Sequence, residues 1–146
     1  GEKYLYRQLV LIKDKERNIA EMTGILDNMD DQDLQDLAAY YNEQEMVVGQ
    51  ADPDLVDQGA ALYRGGNMAT GVPSCAGCHS PQGVGNEPAG YPALGGQNAE
   101  YLVKQLKAYR DGERNSGVNA SIMMDGASKL TDAEIEAVSS YISGLN

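Results

Sequence analysis

Five consecutive residues, Cys75-Ala76-Gly77-Cys78-His79, use both cysteines and the only histidine of this 146-residue chain. No other feature constrains the fold as strongly. Two thiols three positions apart share one helical turn and can add to the two vinyl groups along one porphyrin edge. The adjacent imidazole then points at the iron. C-x-x-C-H is accordingly the attachment signature of a c-type haem. The competing chemistries fit less well. A structural zinc site needs four protein ligands, and only three candidates exist. A thioredoxin-like pair wants a βαβ context, which the pattern lacks. A plain disulfide across so small a loop leaves His79 unexplained.

A covalent cofactor also answers a compositional question. The chain has no Phe and no Trp, and its aromatic bulk is nine Tyr beside 17 Gly. A domain of this size usually relies on large aromatics to fill its centre. Either aliphatics and Tyr make the whole core, or a group that is not an amino acid fills it, and the glycine content favours the second. The formal net charge of −11 argues against nucleic acid as partner, because phosphate binding needs basic surface. No apolar run approaches the roughly 20 residues that span a bilayer. Gly1 opens no signal peptide, which predicts a mature chain or an internal piece of a longer one.

Hydrophobic spacing predicts an all-α architecture with long loops. Asp52-Pro53-Asp54 reads as a helix start, with Asp52 as cap, Pro53 at the first helical position and acid in the first turn. Val56, Gly59, Ala60 and Tyr63 follow at helical spacing, and Gly65-Gly66 ends the element. Residues 67–97 read as irregular. A second helix is expected from Asn98 to Asp111, with Leu102, Leu106 and Tyr109 on one face. A further irregular stretch is expected from Asn115 to about Lys129. Thr131 and Glu134, at capping-box spacing, then open a last helix with Ile135, Val138, Tyr141 and Ile142 inward. Gly59 and Tyr63 would pack against Val138 and Tyr141, the glycine permitting a close crossing.

The first 46 residues repeat the rear of this pattern. Tyr4 to Asn18 aligns with Tyr101 to Asn115 without a gap, and eight of those fifteen positions are identical. After a four-residue skip Met22 meets Met123, and Met29 to Tyr41 meets Leu130 to Ile142. A shift near 100 residues is a domain length and not a solenoid period. The reading is a duplicated domain: 1–46 is the rear part of a first copy without its haem-attachment half, and 47–146 is a complete haem domain. The apolar stripes Leu5, Leu9, Ile12 and Leu34, Leu37, Ala38, Tyr41 are then expected to borrow cover. The haem domain, a second copy of the chain or a missing-half partner could each supply it.

His79 being the only histidine, the second axial ligand must be of another type, and His/Met pairing is the one that raises the potential of cytochromes c. Met123 and Met124 lie in the stretch expected to be irregular, where a side chain can reach a haem face. Met123 is seven residues before Leu130, as Met22 is seven before Met29, so the repeat favours Met123, with Met124 as the alternative. An iron-bound His is normally held at its other ring nitrogen, and the Pro92 carbonyl, thirteen residues on, could do this.

The order helix, C-x-x-C-H, Pro loop, helix, Met loop, capped helix resembles a class I cytochrome c. Leu62 to Gly96, LYRGGNMATGVPSCAGCHSPQGVGNEPAGYPALGG, closely resembles the second domain of cytochrome c4, and the resemblance continues through Tyr101 to Leu145. Residues 1–46, with Met22-Thr23-Gly24 and Asp31-Gln32-Asp33-Leu34, resemble the rear half of that family's first domain. The resemblance implies thioether bonds at Cys75 and Cys78, iron ligation by His79 and Met123, and a Pro92 contact to His79. The single C-x-x-C-H predicts one haem c on the chain as given, against two in the family; the resemblance implies a periplasmic location and electron transfer without catalysis. Respiratory redox proteins would be the partners, such as a membrane-bound terminal oxidase or an electron-donating reductase or dehydrogenase. The chain departs from the family in lacking a first C-x-x-C-H. Two other readings remain: a haem enzyme or gas-binding module with an open sixth position, and an electron-transfer subunit of a larger dehydrogenase.

Overall fold

The computed structural model describes residues 1–146. Seven α-helices and one 3-10 turn carry the regular structure: α1 Glu2–Lys13, the turn Ala20–Met22, α2 Asp31–Asn42, α3 Val56–Gly65, α4 Ala76–His79, α5 Ala99–Arg110, α6 Ala120–Ala127 and α7 Asp132–Ser143. The only β pairing is two isolated antiparallel bridges, Asn67 with Val72 and Asn86 with Tyr91. No helix is long and apolar enough to cross a membrane.

Side-chain caps start three of these helices. Asn98 accepts the Tyr101 amide at the head of α5, 2.9 Å away. At the head of α7, Thr131 Oγ1 accepts the Glu134 amide (3.2 Å) and Glu134 Oε2 accepts the Thr131 amide (2.9 Å). Asp30 and Asp33 form the same reciprocal box on α2, at the positions the repeat aligns with Thr131 and Glu134. Each box satisfies two amides that a helix start otherwise leaves bare.

Two expectations are corrected. Asp52 and Pro53 do not begin a helix. The Leu55 amide donates to the Asp52 carbonyl (3.0 Å) and the Asp54 amide to Asp52 Oδ1 (2.9 Å), so the segment closes as a turn and α3 starts at Val56. Asn115–Lys129 is not irregular throughout, because α6 occupies 120–127. That helix is two turns long, contains Gly126 and has no side-chain cap at its start; local signals are weak, and packing against α5 supplies what they lack.

The core lies where α3, α5 and α7 meet: Leu62, Tyr63, Leu102, Ile135, Val138, Tyr141 and Ile142 are buried there, with Val72 and Leu130 beside them. The expected α3–α7 crossing is present. A methyl group added at Gly59 would overlap the Ala137 carbonyl oxygen and stand 2.6 Å from Tyr141 Cβ. The Tyr63 and Tyr141 rings lie 5.5 Å apart, centroid to centroid.

Residues 1–46 fold as a helical hairpin in which α1 covers one side of α2, burying Leu26, Leu34 and Ala38. Leu5, Leu9 and Ile12 are half-buried, whereas Tyr41 is 58% exposed. Met29 and Leu37, with Asp33 and Asp36, line an open hollow of about 370 Å³ on the outer side of α2. One contact from this hairpin to the rest of the chain is the Lys3 amide, which donates to Glu87 Oε1 at 3.0 Å.

Candidate haem-binding site

Cys75 caps α4 and His79 ends it, so one turn of helix carries both thiols and the imidazole. The next residue, Ser80, has φ +71°, in the left-handed region that a non-glycine residue seldom occupies. Two contacts hold it there: Tyr63 Oη donates to the Ser80 carbonyl (2.7 Å), and Ser80 Oγ accepts the Val84 amide (2.9 Å). Burial pushes the Tyr63 hydroxyl up to about 12, so it stays a donor throughout the neutral range.

The chain then doubles back beneath the histidine. The Gly85 amide donates to the His79 carbonyl at 2.9 Å, and the Leu94 and Gly95 amides both donate to the Gly83 carbonyl. This brings the Pro92 carbonyl 2.9 Å from His79 Nδ1. A carbonyl can only accept, so Nδ1 carries the proton and Nε2 keeps its lone pair. His79 is 6% exposed. Burial lowers its pKa, the Pro92 hydrogen bond opposing, and burial disfavours the charged imidazolium.

Both cysteines are free and half-buried. Burial pushes the Cys75 thiol up to about 11, the reverse of the lowered pKa that marks a redox-active thiolate. No group of three or more His, Cys, Asp or Glu side chains converges as a metal-ion cage. Two thiols flanking one turn and an imidazole with a fixed tautomer are instead a donor set that fits haem c.

Cys75, Cys78, His79 and Pro92 thus come together. Met123 and Met124 are both half-buried and carried on α6, a separate element. Consecutive helical residues point about 100° apart, so the two face different ways. Sequence reasoning missed the hydroxyl contact of Tyr63 and the part played by Gly85. The Gly83-Val84-Gly85 spacing is the signal that could have found the latter, since paired glycines mark a close backbone approach.

Residues 56–146 match the cytochrome c family model. The whole chain is 54% identical over 146 residues to cytochrome c4 of Pseudomonas aeruginosa and spans 73% of that protein. It superposes on the crystal structure of reduced recombinant cytochrome c4 from Pseudomonas stutzeri with a TM-score of 0.95 at 50% identity, covering all of this chain and 82% of that one. The chain belongs to the cytochrome c4 family. Cytochromes c4 are electron carriers with covalently bound haem c, two in the dihaem proteins, and the present chain carries one C-x-x-C-H. A more distant relative, 35% identical over 147 residues, is the thiosulfate dehydrogenase electron acceptor of Thiomonas intermedia; the match takes in 97% of this chain and 65% of that one.

Proposed function

We propose that this chain acts as a periplasmic one-electron carrier whose residues 47–146 bind one haem c, held by thioethers at Cys75 and Cys78 and ligated by His79 and Met123. Haem iron supplies a one-electron couple, and the protein's part is to hold and bias it. The reading rests above all on one contact. With Nδ1 committed to the Pro92 carbonyl at 2.9 Å, His79 keeps only Nε2 free, one residue beyond the second thiol. The carbonyl fixes the ring's tautomer and rotation and raises its basicity as a ligand. If Met123 fills the sixth position, no site is left for a substrate, and the centre can only change oxidation state. Residues 1–46 are then the rear of a first cytochrome c domain and 47–146 a complete haem domain, a division supported by the matching capping boxes.

Covalent attachment has a direct test. Acid-acetone extraction of the purified chain is expected to leave the haem with the protein, and the intact mass to exceed the polypeptide by one haem. Extraction of the haem into the acetone phase would rule out thioether attachment.

The sixth ligand is tested by substitution. Met123→Ala is expected to lower the reduction potential and to let carbon monoxide bind the reduced iron promptly, since the thioether favours reduced iron. Met124→Ala is expected to do neither. The opposite pattern would make Met124 the ligand, and prompt carbon monoxide binding by the unmodified protein would favour an open-site haem enzyme or gas-binding module.

The partner is a redox protein with a basic docking surface, because a chain of net charge −11 steers towards positive potential and its association slows with salt. A respiratory oxidase or reductase fits this description. The relative named as a thiosulfate dehydrogenase electron acceptor supports a second choice, service to a thiosulfate-oxidising dehydrogenase. Reduction rates with each purified partner separate the two.

A further inference from the structure

Tyr63 grips the haem-attachment turn at both of its ends. Its backbone works on the near side. A helix leaves its last four carbonyls without an intrahelical partner, and at the end of α3 a residue just ahead of the motif serves two of them. Ser74 Oγ shares its hydrogen between the Arg64 carbonyl (2.7 Å) and the Tyr63 carbonyl (3.2 Å). The Tyr63 side chain works on the far side, where Oη donates to the Ser80 carbonyl at 2.7 Å. Ser74 precedes Cys75 and Ser80 follows His79. One residue of α3 therefore bonds the chain immediately before and immediately after the motif.

The turn needs such support. Within α4 the Cys75 carbonyl accepts the Cys78 amide (3.2 Å) and the His79 amide (2.9 Å). A single turn of helix is not stable by itself, so what grips its ends decides how it sits. Tyr63 suits that task because it has no freedom of its own. It is fully buried, its ring packs beside that of Tyr141, and α3 is seated on α7 through the Gly59 crossing.

The far grip bears on the imidazole. Ser80 keeps φ +71°, a backbone shape that persists only where contacts impose it, and the peptide joining it to His79 moves with it. The 2.9 Å separation of His79 Nδ1 from the Pro92 carbonyl depends on that peptide from one side. From the other it depends on the loop bonded at the Gly83 and His79 carbonyls. Without the Tyr63 hydroxyl the first support goes, and Nδ1 drifts from its acceptor. Such alignment sets how strongly an imidazole donates to a metal.

We propose that Tyr63 is a positioning residue for the axial histidine: bonded to Ser74 through its carbonyl and to Ser80 through its hydroxyl, it fixes the attachment turn on α3 and keeps His79 Nδ1 aligned on Pro92, which holds the reduction potential down. The inference rests on the haem reading above, and haem content is measured first so that the two can fail separately. Redox titration, thermal unfolding and proton NMR of the reduced, haem-loaded chain test it. Y63F keeps the ring and removes only the hydroxyl. It is expected to raise the equilibrium constant for reduction against a fixed mediator by about three- to tenfold, the span of one net hydrogen bond, and to speed solvent exchange of the His79 Nδ1 proton. I135V trims a fully buried residue of α7 and lowers the melting temperature through a small cavity, but it should leave both of those readouts at the parent values. Should Y63F fail to retain haem, S74A reads the same quantities from the near end of the turn. A Y63F chain that melts lower while its potential and Nδ1 proton stay with the parent would overturn the proposal. Equal shifts in I135V and Y63F would overturn it too, by tracing the effect to core packing and not to the hydroxyl.

Discussion

Adding one methyl group at Gly59 is expected to destabilise the haem-loaded protein by about 3 kcal/mol, the upper range for overpacking a rigid contact. The reason is what that methyl would meet. Its neighbours are the Ala137 carbonyl oxygen, the Ala137 carbonyl carbon at 2.9 Å and Tyr141 Cβ at 2.6 Å. None is the far end of a flexible side chain, so α3 and α7 must separate. Separation would loosen the buried contacts of Tyr63, Val138 and Tyr141 that make up much of the core. Gly65, on the same helix, has no atom within 4 Å of a built Cβ. Gly65→Ala is therefore expected to be neutral or to stabilise by about 0.5 kcal/mol, through reduced freedom of the unfolded chain. Urea titrations followed by circular dichroism compare the two directly. Equal midpoints would show that the crossing tolerates a side chain.

The second large effect is expected at Gly85, and it should reach the iron. Gly85 has φ +76°, and a Cβ there would stand 2.6 Å from the Ala93 amide nitrogen, the Pro92 carbonyl carbon and the Tyr91 carbonyl oxygen alike. Gly85→Ala thus combines a left-handed backbone at a residue with a side chain, costing roughly 1–2 kcal/mol, with a collision against three backbone atoms. The segment that gives way carries the carbonyl bonded to His79 Nδ1. Losing that acceptor makes the imidazole a weaker donor to iron, so the reduction potential is expected to rise while stability falls by about 3 kcal/mol. Potentiometry and a denaturant titration on one preparation check both. A destabilised variant with an unchanged potential would show that the Pro92 contact anchors the loop without tuning the ligand.

The two substitutions mark different limits of what the sequence reveals. Gly59 was legible because its helix and that of Val138 and Tyr141 both announce themselves by spacing, leaving only the crossing to infer. Gly85 was not, because it lies among residues 67–97, where no periodicity shows which backbone segments touch. The same applies to Ser80, whose positive φ is imposed by the Tyr63 hydroxyl seventeen residues away and by the Val84 amide. The errors at Asp52 and at α6 have a common cause. Asp-Pro-Asp serves a turn as well as a helix start, since the aspartate side chain and carbonyl satisfy nearby amides in either. A two-turn helix without a cap carries almost no local signal and forms because α5 is there to receive it.

The sequence by itself determined the all-α class, the capped helices α5 and α7, the haem-attachment motif and the repeat of Tyr4–Asn18 in Tyr101–Asn115. These depend on side chains within a few residues of one another, or on a pattern repeated along the chain, and neither needs a third dimension. Tertiary structure alone decided that Pro92 closes on His79, that Met123 and Met124 ride on a helix, and that the two repeat arginines meet. Arg17 and Arg114 are 97 positions apart, each in a Glu-Arg-Asn triplet, and nothing local to either marks it as buried. Their burial arises from one set of helices laid against its own copy, so that each guanidinium donates a hydrogen bond to a tyrosine hydroxyl of the other unit. Such a contact is a property of two surfaces together, and neither surface encodes it locally.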